Sequence, residues 1–174
     1  MIASKVRENA VKNQTTLDRT SDREIVITRT FNAPARIVFE AWTKPEFVRR
    51  WWAPKSRGVE IVSCDAELRV GGKYRYVLRH EQHGEFAFWG TYREITPNSR
   101  LVHTEIFEPA GQQLSDEQGA LVTVTFNEIE GRTKMVSRSL FPSKEILDGV
   151  LATGMEDGMR ETMDQLDELV QALP

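Results

Sequence analysis

The sequence predicts an α+β fold, a curved antiparallel sheet of seven strands wrapped round one long C-terminal helix, with two short helices after the first strand. Three observations carry this prediction. A β-branched run near the start passes directly into helix signals; six further strand-like runs follow, separated by short turn signals; and the last thirty or so residues repeat their apolar positions at about 3.6 residues per turn. With 174 residues, 40% hydrophobic and 28% charged, the chain is the size of one domain with a real core.

Residues 1–22 are polar and carry too few apolar side chains to offset the entropy of ordering, so a mobile tail is expected there and a single folded domain over 23–174. The run "REIVITRTF" from Arg23 is the first strand. It ends at Asn32-Ala33-Pro34, and proline suits the first position of a helix. In the helix that follows, Ile37, Val38, Ala41 and Trp42 fall at helical spacing, and Pro45 stops it. A second short helix runs from Pro45 to about Trp51.

The six strand runs are "GVEIVSCDAEL", "GGKYRYVLRH", "EFAFWGTYREI", "RLVHTEIFE", "ALVTVTFNEI" and "TKMVSRSLF". They are broken at Val70-Gly71-Gly72, at Gln82-His83-Gly84, at Pro97-Asn98-Ser99, around Pro109 to Gln118, and at Glu130-Gly131. Connections this short join antiparallel neighbours. From Ser143 to Leu173, Leu151, Met155, Met159, Leu166, Leu169 and Leu173 share one side of a helix, with acidic residues including Asp164 and Asp167 on the other. A continuous helix here spans on the order of 45 Å at 1.5 Å per residue, enough to cross a sheet.

Net charge is -3 with the signs interspersed, so the chain lacks the basic stripe of a nucleic-acid binder. The beginning of the chain has no apolar run resembling a signal peptide or membrane span, and the expected location is the cytoplasm. Cys64, the one cysteine, cannot form an internal disulfide and is read as a buried, inert thiol. His80, His83 and His103 form no short metal motif, and no metal or cofactor is expected. The "VGGK" turn lacks phosphate-loop spacing, and Ser137 and Ser139 lack a nucleophile elbow.

Alternation selects the inward side chains. Tyr74, Tyr76 and Leu78 alternate with Lys73, Arg75 and Arg79, which puts the tyrosines inside with hydroxyls that need partners. Leu101, His103, Glu105 and Phe107 alternate in the same way. A His and a Glu two residues apart on an inward face make a polar spot, with a carboxyl whose pKa rises unless it is paired. The alternative is a bulge that sends Glu105 to the rim and leaves His103 bonded to a tyrosine. Gly154 and Gly158 each cost about 1 kcal/mol against alanine inside a helix, so missing side chains there are expected to leave cavity volume or to admit the sheet.

In their order, these elements resemble the helix-grip fold of the START and birch-pollen-allergen superfamily. The strings "FNAPARIVFEAWTKPEFVRRWWAPKS", "LRVGGKYRYV", "GTYREITPNSRLVHTE", "VTVTF" and the "DGM" and "LDELV" of the last helix are similar to its bacterial branch, related to the activator of heat-shock protein 90 ATPase. The resemblance implies a cavity for an apolar or amphipathic small molecule between the sheet and the long helix. It also implies that Trp51 and Trp52 end the second short helix at one mouth of that cavity; adjacent helical positions diverge by about 100°, so one ring is expected inward and the other on the rim, with core or gate packing of both as the alternative to ligand contact. His103 and Glu105 depart from the family, which often carries apolar or aromatic residues there, and Met159 stands where a tryptophan is common.

The expected ligand-binding residues are Trp42, Trp51, Tyr74, Tyr76 and Phe88 on the aromatic side, with His103 and Glu105 as the polar spot. Met155, Gly158 and Met159 complete the set from the last helix. No catalytic residue is assigned. The expected activity is binding of a small apolar or amphipathic molecule by a monomer or homodimer, without nucleic acid or membrane. The alternative is a protein-interaction module like the chaperone activator, and less favoured is a cyclase or hydrolase resting on His103, Glu105 and the tyrosines.

Overall fold

The computed structural model describes residues 13–174. Eight strands form one antiparallel sheet: β1 (Thr16–Arg19), β2 (Glu24–Phe31), β3 (Val59–Ala66), β4 (Lys73–His80), β5 (Gly84–Thr96), β6 (Arg100–Glu108), β7 (Ala120–Ile129) and β8 (Arg132–Leu140). Their order across the sheet is β1-β2-β8-β7-β6-β5-β4-β3. Four α-helices accompany them among the described residues: α1 (Ala35–Thr43), α2 (Pro45–Val48), α3 (Lys144–Ala152) and α4 (Met155–Ala172). The sheet and the C-terminal helix are those the sequence predicts, and the six runs after α2 all become strands.

Two differences from the sequence-based expectation have physical causes. The polar segment read as part of a mobile tail supplies β1, so the sheet has eight strands rather than seven; residues 1–12 lie outside the described residues. Strand pairing holds β1, Thr16 opposite Thr28 and Arg19 opposite Ile25. Just before it, Thr15 Oγ1 accepts from Arg29 at 2.9 Å, its carbonyl accepts from Arg160, and Asn13 Oδ1 accepts from Arg132 at 3.0 Å. Hydrogen bonds to arginines from β2, β8 and α4 supply what apolar content does not.

The second difference is at the C-terminus, where the predicted continuous helix divides into α3 and α4. Gly154 lies between them at φ +75°, a left-handed conformation that favours glycine and interrupts the helical ladder. Ser143 caps α3, its hydroxyl accepting from the Ile146 amide at 3.2 Å. In α4 the buried side comprises Gly158, Thr162, Met163, Leu166, Asp167, Leu169 and Val170.

The core lies between the inner face of the sheet and the helices. It is built from Phe31 of β2, Val38 and Ala41 of α1, Val48 of α2, Tyr74 and Tyr76 of β4, Val124 of β7, and Leu166 and Val170 of α4. One polar contact crosses it. Arg29 of β2, with its side chain 2% exposed, donates to Asp164 at 2.6 Å and to Asp167 at 2.8 Å. The sequence pattern put both aspartates on the solvent side of the helix. Asp167 is buried instead, because Arg29 alternates onto the inner face of β2 and requires carboxylate partners there.

Candidate functional site

The site begins with the register of the central strands. Tyr76 of β4 pairs with Phe88 of β5, and Phe88 with Phe107 of β6. Directly opposed residues share a face, so these three rings, with Leu78 and Phe86 beside them, form one aromatic row on the inner side. Phe88 and Phe107 have ring centroids 5.3 Å apart, and Phe86 and Phe107 are 5.8 Å apart. The adjacent Tyr74 lies 5.1 Å from Tyr76 and 5.5 Å from Tyr92.

The two tryptophans divide their roles. Trp51 is 1% exposed, and its indole N–H donates to the Ala41 carbonyl at 2.8 Å, which ties the end of α2 back to α1. Trp42 packs against it at 5.1 Å and against Phe126 at 6.1 Å. Trp52 is half-buried and turns to the aromatic row, 5.1 Å from Tyr76 and 6.0 Å from Phe88. One ring therefore enters the core and the other reaches the rim. It is Trp52 that meets the candidate site; adjacent helical positions diverge by about 100°, and the sequence alone does not say which ring goes where.

The segment that carries Trp52 is strapped to α4. Gln165 donates to the Trp51 and Ala53 carbonyls at 3.0 and 2.9 Å. Glu161 accepts from the Ser56 amide at 2.8 Å and from its hydroxyl at 2.6 Å. Gly158 lies in this contact. A Cβ there meets the Arg57 guanidinium at ordinary contact distance, with Cζ 3.5 Å away, so the space beside Gly158 is bounded by Arg57 and not by the sheet. Met159 is half-buried and packs on the core, and Met155 is half-buried at the start of α4.

His103 and Glu105 both point inward from β6. His103 pairs with Tyr92 on one side and Val122 on the other, and Glu105 pairs with Ala120. The Tyr74 hydroxyl donates to the Thr104 carbonyl at 2.7 Å, while His103 Nδ1 lies 2.9 Å from that carbonyl and 3.1 Å from the hydroxyl. The Tyr74 proton is given to Thr104, so no donor faces Nδ1 and the neutral ring carries its own proton there. Burial lowers the His103 pKa to about 4, only partly countered by the bond to Thr104. Burial also raises Tyr74 well above its ordinary value, with the neighbouring Glu105 charge adding to the effect.

Glu105 has no hydrogen bond or ion pair among the described residues. Burial pushes its pKa up to about 7. Gly90 is the residue of β5 that the register brings opposite it. A Cβ on Gly90 is excluded, because it lies 1.9 Å from the Thr104 carbonyl oxygen. With Gly90 on one side and Ala120 on the other, the carboxyl is flanked by two of the smallest residues.

The structure thus brings together Tyr74, Tyr76, Phe88, His103 and Glu105, and adds Trp52, Phe86 and Phe107. Phe107 was legible from its alternation with Glu105. Along this row the inner face is open: Trp52, Phe86, Phe88 and Glu105 are only half-buried, and Phe107 is 51% exposed. A recess of about 260 Å³ between Arg75, Val77, Glu85 and the turn at 109–111 contains none of the predicted site residues. An Arg75–Glu108 ion pair at 2.8 Å stands within it, so its polar groups are already matched. Cys64 is buried, its thiol donates weakly to the Pro45 carbonyl, and burial raises its pKa to about 11. No cluster of three or more metal-ligating side chains occurs among the described residues, and no helix there is long and apolar enough to cross a membrane.

Solved structures share this architecture. A protein from Rhodobacter sphaeroides superposes with a TM-score of 0.81 at 25% identity, covering 92% of this chain and 99% of that one. A protein from Arthrobacter aurescens gives 0.78 at 26%, covering 91% and 92%. The AHSA1-like protein from Aeromonas hydrophila, at 21% identity and a TM-score of 0.63 over 86% and 92%, shares the fold. No curated protein matches the chain significantly. The sequence model of the family described as "Activator of Hsp90 ATPase homolog 1-like protein" matches residues 32–171, the span from the start of α1 to the end of α4, and the chain belongs to that family.

Proposed function

We propose that the protein binds a small apolar or amphipathic molecule on the aromatic inner face of β4, β5 and β6, beneath Trp52. The observation that carries this reading is the accessibility of that row. Phe107 is 51% exposed although it faces the same side as the core, and Phe86, Phe88 and Trp52 next to it are half-buried. An open surface of contiguous rings inside a concave sheet favours an apolar occupant by the area it removes from water. Glu105 is the charged group beside these rings, which suits a site where a few polar contacts orient a mostly apolar ligand.

Catalysis by His103 and Glu105 is less favoured. A base and its orienter need a shared hydrogen bond, and His103 is bonded to Tyr74 and Thr104 instead. Native mass spectrometry of the purified protein, with a titration of the neutral dye Nile red, tests the binding reading. A co-purified small-molecule mass, or saturable dye uptake that Phe107→Ser weakens, is expected. Dye uptake that Phe107→Ser and Phe88→Ser leave unchanged in folded protein overturns it.

A further inference from the structure

The two polar side chains that line up beside Glu105, Tyr74 and His103, are committed elsewhere, and the Tyr76 hydroxyl turns to Tyr92. The Tyr74 hydroxyl donates to the Thr104 carbonyl at 2.7 Å, and His103 Nδ1 is occupied by Tyr74 and that same carbonyl. Arg75, on β4, faces the opposite side and pairs with Glu108. The other buried charge of the inner face, Arg29, has Asp164, Asp167 and Thr15. Of these two charged groups Glu105 is the one with no hydrogen bond or ion pair among the described residues, and its flanks, Gly90 and Ala120, leave it uncovered. A carboxylate only accepts hydrogen bonds, so what completes it must bring N–H or O–H groups and, best, positive charge.

The surroundings narrow the choice further. Tyr76 and Phe88 are opposed on adjacent strands, with Trp52 against both and Phe107 two residues along from Glu105. Ring faces attract cations and repel anions. A fatty acid or other anionic amphiphile meets both the rings and a like charge here. An ammonium group gains from both.

Resting on the binding reading above, we infer that the ligand is a small organic amine, its cationic head docked on the Glu105 carboxylate beside Tyr76 and Phe88 and its apolar body along Phe86 and Phe107. Specificity then resides in Glu105 and affinity in the rings. A neutral ligand of the same shape leaves the carboxylate desolvated without a partner and binds more weakly.

Phenethylamine and phenethyl alcohol, nearly identical in shape, provide the test by displacement of Nile red at about pH 8, a unit above the Glu105 midpoint of about 7. The wild-type protein is expected to bind the amine about tenfold or more tighter than the alcohol. Glu105→Gln is expected to abolish that preference while keeping alcohol binding, with circular dichroism as the fold control. If the variant does not fold, the wild-type comparison decides. Equal displacement by the two probes overturns the amine assignment and leaves the binding reading standing. Absence of any saturable Nile red uptake overturns both.

Discussion

His103 and Glu105 stand two residues apart on the inner face of β6 and exchange no hydrogen bond. The imidazole is held by Tyr74 and the Thr104 carbonyl, and the carboxyl stands alone. Their ionisations are displaced in opposite senses by the same burial: His103 falls from 6.5 to about 4, and Glu105 rises from 4.5 to about 7. Each therefore makes folding depend on pH, and the two dependences oppose each other.

The stability held through neutral His103 is present above its unfolded pKa of 6.5 and lost as pH falls through about 4. That held through protonated Glu105 is present below 4.5 and lost as pH rises through about 7. Between 4.5 and 6.5 the slopes cancel in the wild type. Glu105→Gln removes one of them, so its stability relative to wild type rises across this window, by about 3 kcal/mol in total. Denaturant midpoints of both proteins at several pH values measure the difference, in which all other groups cancel. Parallel profiles contradict the assignment.

The inward placement of Tyr76 predicts a contrast with its neighbour. Tyr76 is 3% exposed and in contact with Trp52 and Tyr74, so Tyr76→Ala is expected to cost about 3 to 5 kcal/mol. Arg75→Ala loses only a surface pair with Glu108 and is expected to cost under about 1 kcal/mol. Equal denaturant midpoints for the two variants rule out the register of β4.

How far the sequence reached depends on the kind of signal. Alternation in "KYRYVL" places Tyr74 and Tyr76 inside, because a period of two admits only two faces; in "LVHTEIF" it leaves open a bulge that sends Glu105 to the rim, and only the unbroken pairing of His103 to Glu105 with β7 excludes it. The break at Gly154 was hidden because the apolar repeat runs through it, and a helical glycine costs only about 1 kcal/mol. The burial of Asp167 follows from Arg29, whose partners lie more than a hundred residues away, and the segment before β1 is held by arginines as distant, Arg132 and Arg160, together with Arg29. No local pattern carries that information. The partnerless state of Glu105 was equally out of reach, since it depends on where Tyr74 and His103 spend their hydrogen bonds.

Gly158 provides a test of the strap over α4. An alanine Cβ meets Arg57 at ordinary contact distances of 3.5 to 3.8 Å, and alanine is the better helix former. Gly158→Ala is therefore expected to raise stability by about 0.5 to 1 kcal/mol. Gly158→Leu must displace the guanidinium, and with it the segment that Glu161 holds at Ser56. It should increase hydrogen exchange at the Ser56 amide, whereas Gly158→Ala should not. An unchanged Ser56 amide in the leucine variant means that Arg57 does not lie over α4.

The last prediction concerns the ion pairs that join β2 to α4. Arg29 donates to Asp164 and Asp167, whose side chains are 46% and 11% exposed. Removing the arginine leaves Asp164 hydrated but strands Asp167, which keeps only the Gln171 amide at 3.2 Å. Breaking one side of a buried pair costs about 3 to 5 kcal/mol, because the remaining charge is uncompensated. Arg29→Met is expected to show that loss, and Asp167→Asn in the same protein to recover part of it by removing the stranded charge. Arg29→Lys should recover little, since a single ammonium cannot span Asp164, Asp167 and Thr15 as the planar guanidinium does. Because Thr15 precedes β1, the arginine variants should also raise hydrogen exchange in Thr16–Arg19 more than in β7. A double-mutant cycle between Arg29→Met and Asp167→Asn measures the coupling, and strict additivity of the two losses removes the pair from the account of how the N-terminal strand is held.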